Sequence, residues 1–143
     1  MKILNKKARF DYKLEKDRLE AGLVLSGGEA KAVRTGHADL SQSVARILNG
    51  EAWLINANIP IQGAKNYTST RSRKLLLHRL EIVSILTKMK QRKLTLVPLS
   101  LYNKARLIKL KLALGNPKRK FEKRQAIKAK DIEREIAKEL RVS

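Results

Sequence analysis

Along most of the chain the apolar positions come in short runs or alternate with polar ones, and only once do they settle into a long helical repeat. From Phe10 to Ser26 the placement of Leu19 and of Leu23-Val24-Leu25 predicts strand rather than a long helix. Ser26-Gly27-Gly28-Glu29 interrupts that run. Ser26 with Glu29 three residues on is the pattern of a capping box, in which each side chain accepts from the other residue's backbone N–H; Gly36 suits the left-handed position that closes a helix. A helix of about two turns is predicted from Glu29 to Thr35.

Ser43 to Leu48 and Glu51 to Asn56 flank Asn49-Gly50, the pair that best tolerates the positive φ angles of a two-residue hairpin turn. Between Pro60 and Ser72 the composition turns polar and no core face can be drawn, which predicts a mobile loop. After Leu75-Leu76-Leu77, the residues Ile82, Ile85, Leu86 and Met89 recur at three and four, leaving Glu81, Lys88 and Arg92 on another face. That is an amphipathic helix over about His78 to Gln91. Leu94 to Leu101 and Ile108 to Leu114 alternate or nearly so, with Tyr102-Asn103-Lys104-Ala105 between them as the turn of a second hairpin.

Past Gly115-Asn116-Pro117 the character changes, because Lys118 to Lys130 is dominated by Lys and Arg, with only Phe121 and Ile127 as sizeable apolar groups. Such a segment cannot offset the entropy of folding by itself. From Asp131 onward Ile132, Ile136 and Leu140 repeat every four residues, a short helix that needs a surface to pack on. The fold class expected is mainly β: a small antiparallel OB-fold-like β-barrel with two or three short helices, and a basic C-terminal tail disordered when free. The barrel is assigned to residues 1–115 and the tail, folding to a helix on its target, to residues 116–143.

Charge and composition narrow the partners. The 143 residues carry 33 Lys+Arg against 13 Asp+Glu, a net charge of +20, whose usual use is to attract a polyanion. The chain contains no cysteine and only two histidines, far apart, so no thiolate chemistry, thiolate zinc site or His-rich metal site is expected. Asp11, Asp17 and Asp39 are scattered and have no nucleophile beside them, so no enzyme, cofactor or metal is expected. No stretch approaches the roughly 20 apolar residues of a membrane span, which predicts a soluble cytoplasmic protein, a monomer when free.

Among polyanions, nucleic acid leads over an anionic membrane surface, and several side chains are candidates for contact with it. Arg9, Phe10 and Tyr12 combine a guanidinium with two rings, the mixture that stacks on unpaired bases, although a ring among them could equally pack on the core. Arg71, Arg73 and Lys74 close the polar loop as a phosphate patch or a solvated charge run. Lys31 and Arg34 lie on the basic face of the first predicted helix.

The blocks Asn5-Lys6-Lys7-Ala8-Arg9-Phe10-Asp11-Tyr12, Leu19-Glu20-Ala21-Gly22-Leu23-Val24-Leu25, Gly28-Glu29-Ala30-Lys31-Ala32-Val33-Arg34, Arg71-Ser72-Arg73-Lys74-Leu75-Leu76-Leu77-His78, Leu94-Thr95-Leu96-Val97-Pro98-Leu99 and Phe121-Glu122-Lys123-Arg124 occur in this order. In them the chain resembles the SsrA-binding protein (small protein B) family, the partner of transfer-messenger RNA in bacterial ribosome rescue. The resemblance implies a barrel that grips the tRNA-like domain of that RNA and a tail that enters the empty mRNA channel and decoding centre, against 16S rRNA. Delivery would involve elongation factor Tu with GTP, through the aminoacylated RNA. It also implies RNA contacts at Glu20, Leu76 and Lys109, and a decoding-centre segment comprising Lys118, Arg119, Lys120, Phe121, Glu122, Lys123, Arg124, Ile127 and Lys128.

Each contact has a plainer alternative. Glu20 would accept from base amino or ribose hydroxyl groups, or else hold a nearby Lys or Arg. Leu76 sits in a leucine triplet and could belong to the core. Lys109 alternates with Ile108 and Leu110, so it points outward as a phosphate clamp or a solvated lysine. Relatives often carry histidine where Phe10 stands and a Gly-Lys-Lys run where this chain has Gly115-Asn116-Pro117-Lys118. A second function class, a structural ribosomal or assembly protein whose tail threads rRNA, explains charge and tail equally well.

Overall fold

The computed structural model describes residues 2–119 and 124. Its elements in chain order are β1 (Lys2–Leu4), α1 (Lys6–Asp11), β2 (Tyr12–Leu23), α2 (Gly27–Arg34), β3 (Val44–Leu48), β4 (Glu51–Ile55), β5 (Arg73–Leu76), α3 (Arg79–Arg92), β6 (Thr95–Lys104) and β7 (Leu107–Pro117). The strands form one antiparallel sheet in the order β1-β6-β7-β2-β5-β4-β3. It rolls up far enough for β3 to come against β6. Within the described residues no ladder joins the edge strands β1 and β3, so the mainly antiparallel β fold is a curled, unclosed barrel.

The core follows from the alternation. Ala21 and Leu23 of β2, Ala45 of β3, Ala52 and Leu54 of β4, Leu75 of β5, Leu96 and Leu101 of β6, and Ile108, Leu110, Leu112 and Leu114 of β7 all point inward. Ile85 of α3 and Ala32 and Val33 of α2 join the same cluster. At about 25 cal/mol per Å² of apolar surface removed from water, this single cluster supplies the main drive to fold. The outward residues between these positions carry most of the charge of the sheet.

Both helices predicted before residue 115 form. α2 is capped as expected: Glu29 N–H donates to Ser26 Oγ at 3.2 Å, Ser26 N–H donates to Glu29 Oε1 at 2.9 Å, and Gly36 has φ +82°. It begins two residues before the predicted start because the glycines belong to its first turn. In α3, His78 N–H donates to Glu81 Oε1 at 3.1 Å, and Lys93 ends the helix at φ +54°. The Asn49-Gly50 hairpin turns with φ +51° and +76°.

Four expectations need correction. The expected strand region from Phe10 opens as helix instead, because α1 runs to Asp11 and β2 is one long strand bent by a bulge between Leu14 and Arg18. The pattern also missed β1, which is only three residues long and is stabilised by pairing with β6 rather than by its own sequence. The turn of the second hairpin is Ala105-Arg106, at φ +49° and +69°, and Tyr102 to Lys104 belong to β6. Finally, the strand expected from Ile108 to Leu114 is longer: β7 runs to Pro117, which opposes Tyr12, and Lys118 N–H donates to the Asp11 carbonyl at 2.8 Å.

Candidate nucleic-acid interface

Cross-strand register assembles the candidate site on the outer face of the sheet. Lys2 opposes Tyr102, Tyr102 opposes Lys109, Lys109 opposes Gly22 and Gly22 opposes Leu76, so one row crosses β1, β6, β7, β2 and β5. The adjacent row is Leu4, Ser100, Lys111 and Glu20. Neighbouring members stand about 5 Å apart, within reach of one another, and all but the buried Ser100 are open to a shared ligand. Gly22 suits this arrangement: a Cβ there would lie 3.3 Å from Leu76 Cβ and 3.4 Å from its Cδ1, so any other residue would push Leu76 aside by a few tenths of an ångström.

Leu76 is 55% exposed while Leu75 beside it is buried, which places the expected contact residue outside the core. It lines an open groove of about 850 Å³ with Lys74, His78, Arg79, Leu107 and Lys109. Glu20 takes the role of holding its neighbours. It accepts from the Tyr102 hydroxyl and, at 3.2 Å, from Lys104 Nζ. These two hydrogen bonds, Tyr102 first, lower the Glu20 pKa. The Tyr102 hydroxyl is pushed up to about 12, by burial and then by the Glu20 carboxylate. The pair therefore remains a neutral phenol donating to a carboxylate at any ordinary pH, with Tyr102 fixed beside Lys109.

Arg34 on α2 donates from Nη2 to the Arg106 carbonyl at 2.9 Å, which brings the basic end of α2 to the tip of the β6–β7 hairpin. Lys31 is exposed on the same helix. Arg9, Phe10 and Tyr12 come from α1 and the start of β2, and of these Arg9 reaches the β1 end of the two rows. Arg9 is exposed and shares a cavity with Lys2, Lys6, Arg18 and Lys111, while Phe10 and Tyr12 are half-buried.

The expected phosphate patch at the end of the loop changes most. Arg73 is wholly buried. Its Nε donates to Glu29 Oε2 at 2.8 Å, Nη1 to the Ala57 carbonyl at 2.6 Å, and Nη2 to the Ser69 carbonyl at 2.8 Å and to the Tyr67 hydroxyl at 2.9 Å. Arg71, 39% exposed, donates to both oxygens of the same carboxylate. All three nitrogens of the Arg73 guanidinium donate within the protein and the group is wholly buried, so it holds the fold together and cannot serve a phosphate. Of the three residues only Lys74 is exposed on the sheet face, where its Nζ meets Glu51 Oε1 at 3.5 Å.

Sequence reasoning missed Glu29 as the hub of this cluster. Its carboxylate is 0% exposed, and it accepts from Ser26, Tyr67, Arg71 and Arg73. Burial pushes its pKa up, but the Arg71, Ser26, Arg73 and Tyr67 hydrogen bonds outweigh that and bring it to about 2. The loop expected to be mobile is thereby tied to α2 at Tyr67, Arg71 and Arg73, with Ile59 N–H donating to the Ser69 carbonyl at 3.0 Å. The signal was half present, since the capping box named Glu29 but could not show what else its two oxygens accept.

In the tail, Lys118 is half-buried, and Arg119 and Arg124 are exposed. Lys120, Phe121, Glu122, Lys123, Ile127 and Lys128, and the helix expected from Asp131, lie outside the described residues. Among the described residues no group of three or more His, Asp or Glu side chains is placed to hold a metal ion, and no helix is long and apolar enough to cross a membrane.

A rolled antiparallel sheet whose outer rows carry lysines around an exposed leucine, in a chain of net charge +20, defines a small basic β-protein of the nucleic-acid-binding class. The model of the family described as SmpB protein matches residues 2–142, and the chain belongs to that family. It is 47% identical to the SsrA-binding protein of Corynebacterium diphtheriae over 139 residues, covering 95% of this chain and 85% of that protein. It is 48% identical to the SsrA-binding protein of Acidothermus cellulolyticus over 139 residues, covering 95% and 87%. A solved structure described as "tmRNA-SmpB: a journey to the center of the bacterial ribosome" is similar at TM-score 0.67 and 37% identity, over 88% of this chain and 94% of that one.

Proposed function

We propose that the protein is the adaptor of ribosome rescue: it binds the tRNA-like domain of transfer-messenger RNA with the outer face of its sheet and brings that RNA to stalled ribosomes. The observation that carries this is the row Tyr102, Lys109, Gly22, Leu76, which sets a cation and an exposed apolar side chain together beside an open groove. Membership of the SmpB family and the likeness to a structure described as tmRNA-SmpB on the ribosome support the same reading. Lys109 meets phosphate, Leu76 packs on a ribose or base, and Glu20 holds Tyr102 and Lys104 in place for them. Lys31, Arg34, Lys74 and Arg9 extend the positive surface, and Phe10 and Tyr12 contribute from the α1 side.

The segment from Lys118 to Lys128 enters the empty mRNA channel and decoding centre, with Lys123 and Arg124 on 16S rRNA phosphates and Phe121 offering a stacking face. Elongation factor Tu with GTP joins through the aminoacylated RNA. The protein works in the cytoplasm as a monomer, with no catalytic step of its own.

A competition gel shift at moderate salt tests the proposal, with labelled tRNA-like domain and excess unlabelled ordinary tRNA. Retention of the labelled complex is expected. Equal competition by ordinary tRNA would reduce the protein to a general basic RNA binder and favour the structural ribosomal alternative.

A further inference from the structure

Trp53 is the single tryptophan of the chain and stands in the middle of a short outer row: Lys74 of β5 opposes it on one side and Arg46 of β3 on the other. Its neighbours in sequence, Ala52 and Leu54, point inward and are buried, so the indole lies on the opposite, outer face, half exposed and outside the core cluster. A tryptophan placed only for packing belongs on the inner face, where this sheet puts its leucines and alanines. On the outside, between two cations about 5 Å away on either strand, it has the make-up of a nucleobase platform: a flat ring to stack on and positive groups to meet the flanking phosphates. Arg46 is exposed, and Lys74 makes an exposed ion pair with Glu51 at 3.5 Å, which a phosphate can replace.

The position also fits. Lys74 and Leu76 are two apart on the same face of β5, so the Arg46, Trp53, Lys74 row joins the Leu76, Gly22, Lys109 row along that strand. From Lys109 to Arg46 the combined track crosses β7, β2, β5, β4 and β3, four strand spacings, or about 19 Å measured along the sheet. One RNA segment can occupy both rows.

We propose that Trp53, flanked by Arg46 and Lys74, is a stacking subsite for an unpaired RNA base adjoining the Leu76 and Lys109 row. This rests on the RNA-binding reading above and adds to it the chemical class of ligand, an unstacked nucleobase with its 5′ and 3′ phosphates. Single-strand stacking tolerates any base, so the subsite contributes affinity and placement more than sequence choice.

Because Trp53 is the only tryptophan, its fluorescence reports on the subsite directly. The full chain is titrated with the tRNA-like domain of transfer-messenger RNA, following Trp53 emission and, in parallel, the dissociation constant by gel shift. Saturable quenching is expected. Trp53→Ala should weaken binding about tenfold, Trp53→Phe less than threefold, and Arg46→Ala should lower the salt slope by about one, the signature of one lost phosphate contact. Lys109→Ala serves as the reference, and far-UV circular dichroism confirms folding of each variant. If Lys109→Ala weakens binding while emission, Trp53→Ala and Arg46→Ala stay at wild-type values, the subsite is overturned and the RNA-binding reading survives. If the wild type does not bind this RNA, both fall.

Discussion

Glu29 shows how much one buried carboxylate can organise. Its oxygens join the N-terminus of α2 to Tyr67, Arg71 and Arg73, and thereby fasten the loop before β5 to the helix. Removing one partner of a buried ion pair leaves the other charge unmatched, at a cost of about 3–5 kcal/mol. Glu29→Gln should therefore lower stability by that order in urea unfolding at pH 7. The pH dependence has a definite sign. The folded-state pKa of about 2 lies below the ordinary 4.5, so the carboxylate's contribution is fully present above pH 4.5 and is lost as pH falls from there toward 2. Unfolding curves at pH 7, 4 and 3 should show wild type converging on Glu29→Gln; a gap independent of pH would remove the charge from the explanation. On the outer face, Lys109→Ala should weaken RNA binding by about 1 kcal/mol, the size of one exposed phosphate contact, with an unchanged melting temperature. Filter binding at matched salt measures the first, and an unchanged dissociation constant would return Lys109 to plain solvation.

The elements differ in how far local sequence specifies them. Asn49-Gly50 occupies a turn with two positive φ angles, and Asn and Gly are the residues that adopt them at least cost. The β6–β7 hairpin uses the same geometry with Ala105 and Arg106, neither of which prefers it. That hairpin is held by nine residue pairs of ladder from Thr95–Gly115 to Lys104–Leu107 and by the inward leucines, which override the turn. Arg106→Gly should consequently relieve strain and stabilise the protein by about 1 kcal/mol, visible as a rise of a few degrees in melting temperature. Because Arg34 donates to the Arg106 backbone carbonyl, that contact survives the change. No rise in melting temperature would mean that the Arg106 side chain contributes to packing at the tip.

At the scale of the whole molecule, the proposed function gives the sheet and the segment after Lys118 separate work. The outer rows are built entirely from residues 2–111, and the proposed decoding-centre contacts begin at Lys118. Replacing Glu122, Lys123 and Arg124 together by Ala should leave the affinity for transfer-messenger RNA within about twofold of wild type while abolishing peptide tagging on stalled ribosomes. Gel shift and an in vitro tagging assay measure the two readouts. Loss of RNA binding in that variant would show that sheet and tail act as one unit.

Periodicity and local chemistry made much of this protein legible in its sequence. The α2 capping box, the Asn49-Gly50 turn, the amphipathic stripe of α3 and the outward setting of Lys109 each depend on residues within a few positions of one another. The net charge of +20 is a sum over the whole sequence and needs no fold to be read. Tertiary structure decided what depends on distant partners. It recruited β1 through β6, made α1 where strand was expected, and turned Arg73 from a phosphate ligand into a buried partner of Glu29, 44 residues away. It also chose Leu76 over Leu75 for the surface and set Trp53 between Arg46 and Lys74. The reason is that side-chain period and capping are properties of a single segment, whereas register and the pairing of buried charges depend on which strands meet and which donors reach the same carboxylate once the sheet has rolled up.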